Sequence, residues 1–212
     1  KWLPVMPGVR GRLSSSLCHR LAVGNPRVFV KNDFRESPNT AVHILLDSSG
    51  SMTDSGLMLA NAVCYAVGKA LQGISGVNLG ITAFPGANRA KGGTTVAPVL
   101  RHGEKLTARF PEIAYGMTPM AESLWWVMQQ MCLLRENRKI ILIITDGEPD
   151  SIPAAQEVLR QAQKKGFECY GLGIMCPSIS TLLPHASRVV ETLPQLAPAL
   201  FELLEGALRR NA

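Results

Sequence analysis

The sequence predicts an α/β protein, a three-layer α/β/α arrangement around a mainly parallel central sheet. Three observations predict it. From about residue 41 onward, strand-like apolar runs alternate with helix-length amphipathic segments, the pattern of parallel strands joined by helical crossovers. Two of the runs, 41–46 (AVHILL) and 139–145 (KIILIIT), are almost continuously apolar, as strands buried on both faces must be. The polar motifs fall directly after strands, and ligands of open α/β sheets bind at the carboxyl ends of the strands.

The elements follow in order. Residues 1–40 read as an N-terminal appendage or linker. Pro4, Pro7, Gly8 and Gly11 break its start, 12–21 fit a short helix, 27–31 (RVFVK) a short strand, and 32–40 a polar loop with Ser37-Pro38. The main domain, 41–212, opens with the strand at 41–46 and a turn-like stretch at 47–55. Residues 57–71 carry apolar side chains at helical spacing, with small Ala and Gly residues for close approach. Residues 77–84 (VNLGITAF) alternate as a second strand, and 85–93 form a loop. Residues 94–100 predict an edge strand, because Pro98 cannot donate to a ladder. Thr118 fits a helix cap and Pro119 the first helical position of a helix over 120–134. After the strand at 139–145 come a loop at 146–150, a helix at 153–165 stopped by Gly166, and a strand at 167–174. A short helix at 177–183, a short strand at 188–191 and a helix at 196–209 complete the pattern.

Composition narrows the class. With 212 residues and 46% apolar content, the chain can bury a sizeable core and does not resemble a disordered segment. Its strongest apolar run, 140–144, is far shorter than the ~20 residues a membrane-spanning helix needs, so no membrane association is expected. The start, KWLPVMPGVRG, does not read as a signal peptide. It lacks an initiator Met, so the chain reads as part of a longer protein. The five cysteines are odd in number and none has C-x-x-C spacing. Cys64, Cys132 and Cys169 lie in apolar periodic segments and read as buried thiols. The scattered His19, His43, His102 and His185 argue against a zinc site. A reducing, cytoplasmic compartment is expected. Much of the net charge of +6 lies early, at Lys1, Arg10, Arg12, Arg20, Arg27, Lys31 and Arg35. No stacking platform accompanies it, so nucleic acid is not an expected partner.

Function concentrates in three motifs. Asp47-Ser48-Ser49-Gly50-Ser51 follows the first strong strand. Asp47 offers a hard carboxylate, Ser49 and Ser51 add neutral oxygens, and this set suits magnesium or another hard divalent ion. Gly50 lets the loop turn tightly. Thr118 lies at a strand-to-helix junction, and Asp146, in Thr145-Asp146-Gly147, follows the second strong strand. The expected metal site is therefore Asp47, Ser49, Ser51, Thr118 and Asp146. Asp54, Glu148 and Asp150 are candidates for its rim, Glu148 and Asp150 with helix-capping roles. Met52 and Met117 are candidates for apolar contact surface beside it. Trp125 and Trp126 are adjacent on one helix, so one of them is expected to face outward. With serines rather than a second carboxylate behind Asp47, the pattern is not that of a phosphatase. No serine–histidine–acid set and no P-loop is present, so no catalysis is expected.

Together these motifs resemble the von Willebrand factor A family over roughly 41–210. Asp47-x-Ser49-x-Ser51, Thr118 and Asp146-Gly147 match its metal-ion-dependent adhesion site, which implies a Rossmann-like fold. LLDSSGSM, Gly116-x-Thr118-Pro119-Met120 and ITDGEPD are similar to the intracellular branch, the C-terminal domains of cobaltochelatase CobT-like and magnesium-chelatase D-type proteins. The resemblance implies Mg2+ (or Mn2+ or Ca2+). Asp47, Ser49 and Ser51 would approach the ion directly or through water, Thr118 would move in or out of contact, and Asp146 would hold a water. A protein partner would supply a carboxylate to the remaining position. It implies as partner an AAA+ ATPase of the MoxR or CobS-like class. The expectation is thus a metal-dependent protein-interaction module of the cytoplasm. A chelatase subunit in tetrapyrrole synthesis and an extracellular adhesion domain are the alternatives.

Overall fold

The structure is a computed structural model. It describes Pro7–Gly8, Arg12–Leu13 and Phe29–Val30 by their backbone, and residues 39–86, 95–107 and 109–209, apart from the side chains of 193 and 207–209. The chain divides into two units, Lys1–Ser37 and Pro38–Ala212. In the first, β1 (Pro7–Gly8) and β2 (Arg12–Leu13) flank β3 (Phe29–Val30) in a small antiparallel sheet of order β1-β3-β2. β3 falls within the strand expected at 27–31. The helix expected at 12–21 is corrected at its start. Arg12 and Leu13 pair with Val30 and Phe29, and this ladder overrides the local helical pattern. Residues 14–21, Cys18 and most of the loop expected at 85–93 lie outside the described residues.

The second unit has a six-stranded sheet of order β6-β5-β4-β7-β8-β9. β4 (Thr40–Asp47) is central. It pairs in parallel with β5 (Val77–Phe84) and β7 (Arg138–Thr145). β8 (Phe167–Ile174) and β9 (Ser187–Val190) extend the parallel run. β6 (Ala97–Leu100) is antiparallel to β5 at the edge. Pro98 therefore sits where the expectation of an edge strand placed it.

All eight residues of β4 are buried, because helices cover both faces. Val42, Ile44 and Leu46 pack with Leu57, Cys64 and Val67 of α1 (Thr53–Gln72) and with Leu196 and Leu200 of α5 (Leu196–Arg209). Ala41 and Leu45 point the other way. They join Leu124 and Met128 of α2 (Met120–Cys132) and Ala155 and Leu159 of α3 (Ile152–Lys164). Each such aliphatic side chain taken from water contributes roughly 1.5–3 kcal/mol. α4 (Ser178–Leu182) lies close on β8, with Ile179 and Leu183 over Gly171.

Two local expectations change. The stretch read as a turn at 47–55 contains a 3-10 turn at Gly50–Met52 and the first residues of α1, which starts at Thr53 with φ +54°. Cys132 is exposed at the end of α2, while Cys64 and Cys169 are buried, their thiols pushed up to about 12 chiefly by burial. Among the described residues no helix is long and apolar enough to cross a membrane.

Candidate functional site

β4 and β7 are neighbours, so the loops that follow them leave the sheet side by side. Ser48 fixes the first loop: its N–H donates to the Phe84 carbonyl at 2.6 Å and its Oγ to the same carbonyl at 3.0 Å. The Asp47 carboxyl, fully buried, then faces back into the loop. Oδ1 accepts from the Ser49 N–H at 2.8 Å, and Oδ2 accepts from Thr145 Oγ1 at 2.5 Å. Ser49 Oγ and Ser51 Oγ are 3.0 Å apart, and Ser51 Oγ donates to Asp146 Oδ1 at 2.7 Å.

Thr118 joins through Gly147. A Cβ built on Gly147 would stand 3.1 Å from Ser51 Oγ, 3.3 Å from Thr118 Oγ1 and 3.9 Å from Asp47 Oδ2. Side chains from the β4 loop and from the segment before α2 therefore converge on a residue of the third loop that has none. Burial pushes the Asp47 carboxyl up to about 6. The Thr145 and Ser49 hydrogen bonds work against this, and the nearby Asp146 charge adds to it. Asp146 is raised as well, mainly by burial, with the Ser51 hydrogen bond opposing.

The rim residues separate by what they touch. Asp54 Oδ1 accepts from the Ala114 N–H at 3.1 Å and so ties α1 to the segment leading to Thr118. Asp150 straps Thr118 twice: Oδ1 accepts the Thr118 N–H at 2.8 Å, and the Asp150 N–H donates to the Thr118 carbonyl at 3.0 Å. The expected capping roles move to neighbours. Ser151 caps α3, accepting from the Ala154 N–H, whereas Pro119 precedes α2 and no side chain caps it. Glu148 is exposed. Met52 is 4% exposed and belongs to the core, so its expected contact role is corrected. Met117, at 64%, stays on the surface. Trp125 faces outward and Trp126 packs on the core.

Two contributors escaped the sequence reading. Thr145, the polar end of KIILIIT, holds Asp47, and its position after an apolar run was the available signal. Met175 is 75% exposed with φ +52°, its N–H donating to the Val190 carbonyl at 2.7 Å. The next residue, Cys176, donates its thiol to the Gly147 carbonyl at 3.4 Å. Nothing in the sequence pattern marked this approach.

The expectation of Mg2+, Mn2+ or Ca2+ is corrected on the donor set. Among the described residues no three or more His, Cys, Asp or Glu side chains gather where they could share an ion. The cluster has two carboxylates, and the Ser51 and Thr145 hydroxyls donate to them. With two carboxylates the cluster falls short of such a group, and the expected ion is not supported.

Carboxylates and hydroxyls gather at the carboxyl edge of a mainly parallel sheet, the place where ligands of such folds bind. The family follows from its model: residues 41–198 match the von Willebrand factor type A domain, and the chain belongs to that family, whose domains are generally non-catalytic protein-interaction modules. No curated protein matches the chain. Among solved structures it is similar to proximal thread matrix protein 1 from the mussel byssus (14% identity, TM-score 0.64, covering 80% of this chain and 48% of that one). It is also similar to the pilus adhesin SpaC from Lactobacillus rhamnosus GG (14%, 0.69, 82% and 30%). A third is the vWF domain of the type V pili tip protein Mfa5 from Porphyromonas gingivalis (10%, 0.60, 84% and 99%). The chain spans about half or less of the first two.

These findings also correct the finer assignment. Those similar structures are a matrix protein, a pilus adhesin and a pili tip protein, not members of the CobT-like or chelatase D-type branch that LLDSSGSM and ITDGEPD resembled. The expected AAA+ ATPase partner, implied by that branch, the partner carboxylate, implied by the family's metal site, and the cytoplasmic location, read from the cysteines, are corrected with it, since byssal and pilus proteins stand among the similar structures.

Proposed function

We propose that this chain is an adhesion module of extracellular type, which binds a protein surface through the face containing Asp47, Ser49, Ser51, Thr118 and Asp146. The observation that carries the reading is the convergence of Asp47, Ser51 and Thr118 on Gly147 at one edge of the sheet, with Ser49 and Asp146 bonded to Ser51. The loops are held by backbone bonds, from Tyr115 N–H to the Ser48 carbonyl at 3.0 Å and from Gly50 N–H to the Gly116 carbonyl at 3.2 Å. A preformed face of this kind binds without the entropy loss of ordering loops. Met117 and Met175 add exposed thioethers beside it, adaptable surface of the kind used at protein contacts. Similarity to a byssal matrix protein and to a pilus adhesin supports the same reading.

The test is binding of the purified chain to a panel of immobilised matrix and cell-surface proteins, beside Asp47→Ala and Ser51→Ala. At least one surface should capture the wild type, with affinity falling by about tenfold or more in Ser51→Ala, the usual scale for a central contact, and in Asp47→Ala through the loop that the buried carboxylate holds. Buffers with divalent cation and with chelator measure any cation contribution directly. Equal capture of wild type and variants would sink the reading.

A further inference from the structure

Away from the cluster, the core holds a buried pair of imidazoles. His43, midway along β4, is 2% exposed. Its Nδ1 lies 3.0 Å from His102 Nε2, and its Nε2 lies 2.9 Å from Thr82 Oγ1. His102 belongs to the turn after β6 and reaches inward across β5. Gly80 makes the slot, since a Cβ there would stand 2.6 Å from both rings.

The pair accepts a proton poorly. While both rings are neutral, the bond between them forms when one of the two facing nitrogens carries the hydrogen and the other is bare, and Thr82 Oγ1 can then accept from or donate to His43 Nε2 to match. His102 Nδ1 is buried without a well-formed hydrogen bond. A proton added to either ring places charge in this slot. Burial lowers both rings, His43 well below its usual value and further through His102. The Asn78 backbone and the Glu136 carboxylate offset part of the shift for His102. The other charged groups lie on surrounding elements: Arg101, Glu104 and Lys105 in the same turn, Lys69 on α1 donating to the Leu106 carbonyl, and Arg138 at the start of β7, ion-paired with Glu168. On α2, Glu122 and Cys132 are exposed.

The turn is connected to the binding face. Gln72 clamps it, donating to the Glu104 carbonyl at 2.9 Å and accepting the Leu106 N–H at 3.1 Å. From Leu106 the chain runs on to Ala114, Tyr115 and Gly116, whose backbone bonds hold Asp54, Ser48 and Gly50.

We propose that the His43–His102 pair is an acid-sensitive latch, whose protonation drives His102 from its slot, loosens residues 101–116 and weakens partner binding at the Ser48–Ser51 loop. The regulatory half rests on the adhesion reading above. The sign follows from the neutral pair: the folded state disfavours the charged rings, so the latch holds above the ordinary histidine range and fails as pH falls below it.

The test is hydrogen exchange at about pH 7.5 and about pH 5, corrected for intrinsic rates. In the wild type, protection of 101–116 should fall about tenfold or more relative to β8. In His102→Gln, which has no ring to charge, that fall should vanish. Unchanged wild-type protection, or an equal fall in the variant, overturns the latch. Should the variant not fold, imidazole nitrogen spectra of the wild type decide. A ring transition that coincides with loosening supports the latch, and rings that titrate while 101–116 stays protected overturn it. Partner capture at both pH values separates the two claims. Loosening without weaker capture overturns only the coupling, and no capture at either pH overturns only the adhesion reading.

Discussion

Ser51 Oγ donates to Asp146 Oδ1 at 2.7 Å across 95 residues of chain. This one bond joins the loop after β4 to the loop after β7. Replacing Ser51 with Ala removes it and leaves a half-buried carboxylate short of a donor. Stability should fall by about 1 kcal/mol, while partner capture should fall far more. Urea unfolding beside the capture assay checks this, and a loss of capture no larger than the loss of stability would count against a contact role.

Asp47 should behave as a functional group that strains the fold. Its folded value of about 6 lies above the ordinary 3.8, so between those values the folded chain keeps a proton that the unfolded chain releases. The associated stability is full below about pH 4 and gone above about pH 6, a cost on the order of 3 kcal/mol at neutral pH. Asp47→Asn removes that cost but weakens one of the bonds to Ser49 or Thr145, for a net gain of about 1–2 kcal/mol. Denaturation at neutral pH should show the gain, and it should shrink towards pH 4. Capture should be lost throughout.

Gly173 should tolerate no side chain. An added Cβ would fall far inside contact distance of the Cys176 carbonyl and 2.7 Å from Ile179 Cγ2. The carbonyl is backbone and cannot rotate away. Gly173→Ala should lose about 2 kcal/mol or more, as overpacked cores do, and should loosen α4. A melting temperature within a degree or so of wild type would contradict this packing.

Met175 offers the opposite case. Its φ of +52° is one that glycine adopts freely, and its side chain contributes little to the core. Met175→Gly should hold or raise stability by up to about 1 kcal/mol, yet weaken capture if the thioether touches the partner. Thermal melts and capture measured together report both effects.

Much of the fold was legible because its signals are local. The runs 41–46 and 139–145 are apolar without alternation, and they are strands of the sheet interior. Pro98 marked the edge. Where the reading slipped, a longer-range contact had overridden the local pattern. Arg12 and Leu13 pair with β3 instead of opening a helix, and Thr118 is strapped by Asp150 instead of capping α2. Met52 reads like a loop residue but lies under the 3-10 turn, against the core.

By itself, the sequence determined the order of strands and helices, the family, and the loops that meet at the carboxyl edge, because apolar period and strand-ending motifs depend on neighbouring residues alone. Only the tertiary structure decided how the oxygens meet. It set Thr145 on Asp47, Ser51 on Asp146, and Gly147 at the point of convergence. It also slid His102 beside His43 over Gly80. These contacts join residues as much as 98 positions apart, and distances of that kind are fixed by the pairing of β4 with β5 and β7, not by any local pattern in the chain.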